Sequence, residues 1–259
     1  MAYPTQQPKL QISEVSTRER AQPRVLCVAP AWNEGNRIAR VVSEVPREEV
    51  ETTLVIDDGS TDGTPEIAEA AGAAVIRSGA NRGVGAAIRS GIDYAIEHGY
   101  EIVVVISGGG KTPPDQIPRL LEPLIRGEAE MAQGSRYTTG GEHKRMPLSR
   151  RLGTRGYTLL FSLFAGRRVS DASSGFRAMK VSLFEDERIN LWQEWLDRYE
   201  LEPYLLFKAL RLGHKVVEVP VTIEYPPKED GQRYTKMRML IDWWKIFRPV
   251  VFLALRLKK

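Results

Sequence analysis

Val25-Leu26-Cys27-Val28-Ala29, closed by Pro30, and Leu54-Val55-Ile56, closed by Asp57-Asp58-Gly59-Ser60-Thr61-Asp62-Gly63-Thr64, are short apolar runs that end in polar, turn-rich loops. Runs of this length between turn residues read as buried strands. Between them, Ile38, Val41, Val42 and Val45 recur at the spacing of a helix. Pro65 opens a second helix that reaches about Ala71, and Ala74-Val75-Ile76 is a third strand. Val84 to Glu97 is a helix stopped by Gly99, and Ile102 to Ile106 is a fourth strand. Strands alternating with helices predict βαβ units and a mostly parallel sheet. Such sheets bind ligands beyond the carboxyl ends of their strands. Those ends are Pro30-Ala31-Trp32-Asn33-Glu34, Asp57-Asp58-Gly59-Ser60 and Ser107-Gly108-Gly109-Gly110-Lys111.

The rest of the chain sets bounds. Its 259 residues are 42% hydrophobic and 27% charged, which excludes wholesale disorder. A single cysteine, Cys27, excludes a disulfide scaffold, and three scattered histidines offer no zinc site. The net charge of +4 does not imply a nucleic-acid partner. Residues 1–23 read as a flexible arm without the apolar core of a signal peptide. The longest uncharged C-terminal stretch, Pro249 to Leu255, is far too short to span a bilayer.

After Ile106 the pattern changes. Thr138 to Arg151 reads as a loop, followed by helices over Leu152 to Ala165 and Pro203 to Leu212, and one strand over Lys215 to Tyr225. This half reads as an extension of the same domain. The last 24 residues carry seven Lys and Arg against Asp242 alone, together with Trp243, Trp244, Phe247 and Phe252.

Pro30-Ala-Trp-Asn-Glu34, Asp57-Asp-Gly-Ser-Thr-Asp-Gly-Thr64 and Asn81-Arg-Gly-Val-Gly-Ala86, in this order, resemble the family 2 glycosyltransferases of the GT-A fold. Gly134-Ser-Arg-Tyr137, Ser174-Gly-Phe-Arg177 and Glu218-Val-Pro-Val221 narrow the resemblance to the branch of dolichol-phosphate mannose synthase. It implies an α/β fold, a mostly parallel sheet flanked by helices over 24–225, with an acceptor loop and an amphipathic helical tail over 226–259. It also implies a nucleotide-diphosphate sugar donor and a polyprenyl phosphate acceptor. Asp57 would read the base, Pro30, Ala31 and Glu34 would form the other side of the nucleotide cleft, and Asp58 would support the ribose.

The departure comes after the fourth strand. The family places Asp-x-Asp there, whose carboxylates hold Mg²⁺ or Mn²⁺ against the diphosphate. Aligned on Pro113-Pro114, those positions are Ser107 and Gly109. Three readings follow: Lys111 and the amides of Gly108, Gly109 and Gly110 replace the metal; a metal remains on other ligands such as Asp58; or the protein only binds its nucleotide sugar.

On the acceptor side, Arg136, Arg151, Arg155, Arg177, Arg233 and Lys236 are candidates to clamp a phosphate, because guanidinium matches its oxygens. A phosphate nucleophile needs no strong base. For a glycolipid or glycan hydroxyl, Asp171 is the candidate base. The tail from Lys236 to Lys259 has the composition of a helix lying in a membrane surface, kinked or split by Pro249, although packing on the core or a dimer contact would also explain it. The expected setting is cytoplasmic, peripheral on the inner face of the membrane. The sugar, uridine against guanosine, and assembly as a homo-oligomer are left open.

Overall fold

The structure, a computed structural model, describes residues 22–225, 241–255 and 257–258. Loops rich in Asp, Asn and Gly alternate with the expected elements: β1 (Val25–Ala31), α1 (Asn36–Ser43), β2 (Thr52–Asp57), α2 (Thr64–Ala70), β3 (Ala74–Arg77), α3 (Val84–Glu97) and β4 (Ile102–Val105). Then come α4 (Ile117–Ile125), β5 (Met131–Ser135), β6 (Glu142–Lys144), α5 (Leu148–Ala165), β7 (Arg177–Lys180), α6 (Leu201–Leu212), β8 (Val216–Pro220), β9 (Thr222–Glu224) and α7 (Ile241–Ala254).

Seven strands form one sheet in the order β3-β2-β1-β4-β7-β5-β8, and β6 pairs with β9 in a small second sheet. All pairs in the main sheet are parallel except those of β7, which runs antiparallel between β4 and β5. The strand order therefore reverses between β1 and β4, where α/β sheets open a crevice. The second half adds β5, β7 and β8 to the same sheet.

Alternation along the strands sorts the core into two layers. Leu26 and Val28 of β1 face a cluster built by Ile88 and Ile92 of α3, Tyr157 and Phe161 of α5, and Tyr204 of α6. Val25, Cys27 and Ala29 face the opposite cluster, with Ile38 and Val41 of α1 and Leu120 and Leu124 of α4. Each fully buried Leu or Ile contributes roughly 1.5–3 kcal/mol relative to exposure. Isolation in this apolar layer also pushes the Cys27 thiol up to about 12, so it packs as a small hydrophobe.

Four details differ from the sequence reading. β1 continues through Pro30 and Ala31, which pair with Ile56 and Asp57. α5 begins at Leu148, so the expected loop is already a strand and a helical turn by Arg151. The expected strand over Lys215 to Tyr225 breaks at Val221, just after Pro220, into β8 and β9, which belong to different sheets; proline has no N–H to continue a ladder. The C-terminal helix passes through Pro249 without splitting and packs on the core, with Val250 buried and Ile246, Phe247 and Leu253 against the same cluster. Its Arg248 donates to the Trp195 carbonyl at 3.0 Å and pairs with buried Glu200 at 2.7 Å. The N-terminal arm up to residue 21, and Arg233 and Lys236 of the expected acceptor loop, lie outside the described residues.

Helix α3 sits close to the sheet because a Cβ at Gly91 would fall on the Val28 side chain. Gly91→Leu is expected to lose about 1–3 kcal/mol of stability through overpacking. Gly156→Ala in α5, where nothing lies within 4 Å of the added atom, should be neutral or slightly stabilising. Urea denaturation midpoints of the two variants check this; a Gly91→Leu midpoint equal to that of the parent would refute the packing argument.

Candidate active site

Loops beyond β1 and β2 are sewn to each other by side chains. The Asn33 amide donates to Ser60 Oγ at 2.8 Å, and the Thr61 amide donates to Asn33 Oδ1 at 2.8 Å. Thr64 Oγ1 accepts from the amides of Glu34 and Gly35, both at 2.9 Å. Asp57 is buried at the end of β2, and its two carboxylate oxygens accept from the Ser60 amide at 3.2 and 3.3 Å. A carboxylate offers about four lone-pair sites, so acceptor capacity remains beyond this turn. Asp58 accepts from the amides of Arg82 at 2.7 Å and Gly83 at 2.8 Å, which fixes the loop leading into α3. Burial pushes its carboxyl up, against the pull of those two amides. Ala31 is buried, its carbonyl taking the Asp58 amide at 2.8 Å, and Glu34 pairs with Arg37 at 2.8 Å.

At the end of β4 the chain turns tightly. The Gly108 amide reaches the Pro30 carbonyl at 3.3 Å, the Gly109 amide reaches Ser107 Oγ at 3.3 Å, and the Gly110 amide reaches the Ser107 carbonyl at 3.2 Å. A Cβ at Gly108 would stand 2.8 Å from the Pro30 carbonyl oxygen, so the glycine permits β1 and the turn to approach. The Lys111 carbonyl accepts from the Glu224 amide at 2.8 Å, which ties this loop to β9.

The other wall is a buried polar network. Arg136 and Asp171 form an ion pair, Nε to Oδ2 at 2.6 Å and Nη2 to Oδ1 at 2.8 Å, with both side chains out of solvent. The Arg136 amide also donates to Asp171 Oδ2, and Arg136 Nη1 donates to the Tyr225 hydroxyl at 2.9 Å. Burial alone would pull the Arg136 guanidinium down; the Asp171 carboxylate reverses this and holds it above its ordinary range. Glu218 of β8 supports the pair from behind, accepting from the amides of Ser170 and Asp171 at 2.7–3.0 Å. Arg177 is also buried and donates to the carbonyls of Glu202 at 2.9 Å and Ser174 at 2.7 Å. Burial pulls its guanidinium down, with Glu202 opposing.

A cleft of about 440 Å³ opens between the two walls. Of the residues expected from sequence, Pro30, Lys111, Arg136 and Arg177 line it; Ala31, Glu34, Asp57, Asp58, Gly108, Gly109, Gly110, Asp171, Arg151 and Arg155 do not. Both oxygens of Asp171 are taken by Arg136 and Ser173, so this carboxylate positions Arg136 and presents no open oxygen as a base. Arg150, Glu202 and Tyr225 also line the cleft, and the sequence reading does not single them out. For Arg150 the early start of α5 decides this: it falls on the side of Thr154 and Tyr157, whereas Arg151 and Arg155 fall toward the other face.

The profile of Glycosyl transferase family 2 matches residues 27–188, over half of the chain. The chain belongs to this glycosyltransferase family. Within it, the chain is 31% identical to an undecaprenyl-phosphate mannosyltransferase of Micrococcus luteus, covering 77% of this chain and 83% of that protein. It is 29% identical to a UDP-N-acetylglucosamine–dolichyl-phosphate N-acetylglucosaminyltransferase of Methanococcus voltae, covering 78% and 86%. These relatives set it in the branch of dolichol-phosphate mannose synthase. Among solved structures, glucosyl-3-phosphoglycerate synthase of Mycobacterium tuberculosis, in a complex with Mn²⁺ and UDP, shares the GT-A fold at a TM-score of 0.65 and 20% identity, covering 92% of this chain and 81% of that one.

In this glycosyltransferase the divalent ion implied by the fold does not fit the residues present. Ser107 and Gly109 stand where the family has aspartates. Both oxygens of Asp58 accept from backbone amides and Glu34 is paired with Arg37, which leaves Asp57 as a carboxylate with open acceptor sites, too few ligands for such an ion. Among the described residues no group of three or more His, Cys, Asp or Glu could hold a metal ion.

Removing one partner of a buried ion pair leaves an uncompensated charge and costs about 3–5 kcal/mol. Asp171→Ala is expected to lose that much, and Asp171→Asn less because it retains an acceptor. Thermal unfolding followed by circular dichroism measures both; an Asp171→Ala protein that melts with the parent would remove the network from the account.

Proposed function

We propose that this glycosyltransferase moves a sugar from a nucleotide diphosphate to a polyprenyl phosphate, with inversion at the anomeric carbon. The observation that carries the proposal is the lining of the cleft, where Lys111, Arg150 and Arg177 meet Glu202 as the single carboxylate. Arg136 adds little net field, because Asp171 neutralises it at contact distance. Glu202 in turn pairs with Arg177 at 3.7 Å, so Lys111 and Arg150 leave the lining a net excess of two positive charges, which suits phosphate groups. The relatives' action on polyprenyl and dolichyl phosphates supports the same acceptor class.

On the donor side, Pro30, Ala31, Glu34, Asp57 and Asp58 frame the nucleotide. Lys111 holds the diphosphate, in the role the missing carboxylates and their ion would take; the amides of Gly108, Gly109 and Gly110, expected to share that role, are instead spent on Pro30 and Ser107 within the turn. An acceptor phosphate oxygen attacks the anomeric carbon from the face opposite the diphosphate. The new carbon–oxygen bond forms as the bond to the diphosphate breaks, and the electron pair leaves on the nucleoside diphosphate. An ionised phosphate brings no proton to remove, so the step needs no general base. Positioning and charge stabilisation supply the catalysis. A hydroxyl acceptor would need a base, and Asp171 is committed to Arg136.

The test is transfer from UDP- and GDP-sugars to undecaprenyl or dolichyl phosphate in detergent, with and without EDTA. A lipid-linked sugar phosphate of inverted anomer that still forms in EDTA is the expected product. Lys111→Ala is expected to lower kcat by roughly 100-fold, the scale for one donor to a developing charge. Turnover that EDTA abolishes, or that proceeds only with hydroxyl acceptors, would overturn the proposal.

A further inference from the structure

Arginines and tyrosines alternate along one edge of the cleft. The Arg155 guanidinium lies over the Tyr137 ring at 5.1 Å from its centroid, and Arg136 lies over the same ring at 5.5 Å. Arg136 Nη1 then donates to the Tyr225 hydroxyl, and the Arg150 guanidinium lies over the Tyr225 ring at 5.3 Å. Arg155, Arg136 and Arg150 are thus interleaved with two rings, and Asp171 is bound to the middle one. A ring face attracts a guanidinium and keeps it apart from the next, which lets like charges gather.

Tyr225 is the fixed point of this row. It is buried, and it lines the cleft together with Arg136 and Arg150. Its backbone is held on both sides. The Tyr225 amide donates to the Lys144 carbonyl at 3.0 Å, and its carbonyl accepts from Arg145 Nε at 2.8 Å. Arg145 stands at a φ of 57°, a left-handed conformation that arginine rarely adopts. That residue turns the chain from β6 toward Pro147 and α5. The segment that carries Arg150 is therefore tied to Tyr225 at its root, and again through the guanidinium at its tip.

What this arrangement does for transfer rests on the lipid-phosphate acceptor proposed above. Lys111 stands on the loop after β4 and is assigned to the leaving diphosphate, which leaves Arg150 for the arriving phosphate. An arginine side chain has many rotamers, and freezing it when an anion binds lowers affinity. A ring that already holds the guanidinium removes part of that loss. The hydroxyl has a separate duty: by accepting from Arg136 it anchors the ring to the rigid pair with Asp171. We propose that Tyr225 is a positioning residue, whose ring presents Arg150 to the acceptor phosphate.

The full-length protein is compared with Tyr225→Phe, which keeps the ring, and Tyr225→Leu, which removes it. With no acceptor present, the Nε–H resonance of Arg150 is followed by NMR and assigned by its loss in Arg150→Lys. The ring should displace that resonance in the parent and in Tyr225→Phe, and the displacement should vanish in Tyr225→Leu. With nucleotide sugar and a short, water-soluble polyprenyl phosphate, Tyr225→Leu should raise the KM for the acceptor by roughly three- to tenfold, the scale of a partly exposed contact between cation and ring. The KM for the nucleotide sugar should not move, whereas a general loss of structure would move both. Tyr225→Phe should use the acceptor like the parent. In an Arg150→Ala background, loss of the ring should have no further effect, because the ring acts through that side chain. An Arg150 resonance that is undisplaced in the parent would overturn the proposal, whatever the stability of the variants. So would an unchanged acceptor KM in Tyr225→Leu, or a rise that persists in Arg150→Ala. If the parent does not use the polyprenyl phosphate yet the resonance behaves as expected, the acceptor assignment fails and the positioning of Arg150 by the ring stands.

Discussion

The carboxylate of Asp171 is the constraint on which the polar wall of the cleft depends. It lies at full burial and is stable there because Arg136 supplies three donors and Ser173 two more. Glu218 then fixes the backbone that carries it. Through Arg136 the network reaches Tyr225, next to the small second sheet, so both sheets are held to one register at the cleft. Apolar residues of equal volume could serve stability as well. What they could not supply is direction, since each charged hydrogen bond admits a narrow geometry.

The four strands of the first half were legible because they are apolar, largely β-branched runs punctuated by turn residues. Ile102 to Ile106 is the last run of that composition before the chain changes character. Met131–Ser135 and Arg177–Lys180 are strands of five and four residues with Ala, Gln, Gly and Lys among them. Their extended form comes from neighbours in the sheet, which a local pattern does not contain. The candidate residues followed the same division. Pro30 and Lys111 reach the cleft from strand ends that topology alone points to. Arg150 was hidden because its side depends on where α5 begins, and the residues from Thr138 to Arg151 have the composition of a loop. Asp171 was visible as a charged residue, whereas its burial and its pairing with Arg136 required the fold.

The cleft thus combines two ways of handling charge. On the polar wall, Asp171 cancels Arg136 and turns a cation into a rigid strut. Beyond β4, a short glycine turn brings Lys111 beside Ser107 and Pro30. The carboxylates nearest that turn are used for loop architecture: Asp58 holds the entry to α3, and Glu34 meets Arg37. Charge in this site follows from which groups are neutralised by neighbours, more than from how many are present.

The antiparallel strand β7 has a further meaning. In the main sheet it is the seam between the parallel block β3-β2-β1-β4 and the parallel pair β5-β8. Because it runs backwards, its beginning lies at the end of the sheet where β4 finishes, and so brings Ser174 to Arg177 to the cleft. A reversed strand of four residues thus divides the sheet into two halves that can diverge separately. A change in the loops beyond β5 and β8 therefore need not shift the register of β1, β2 and β4, because the ladder between the two blocks passes through β7.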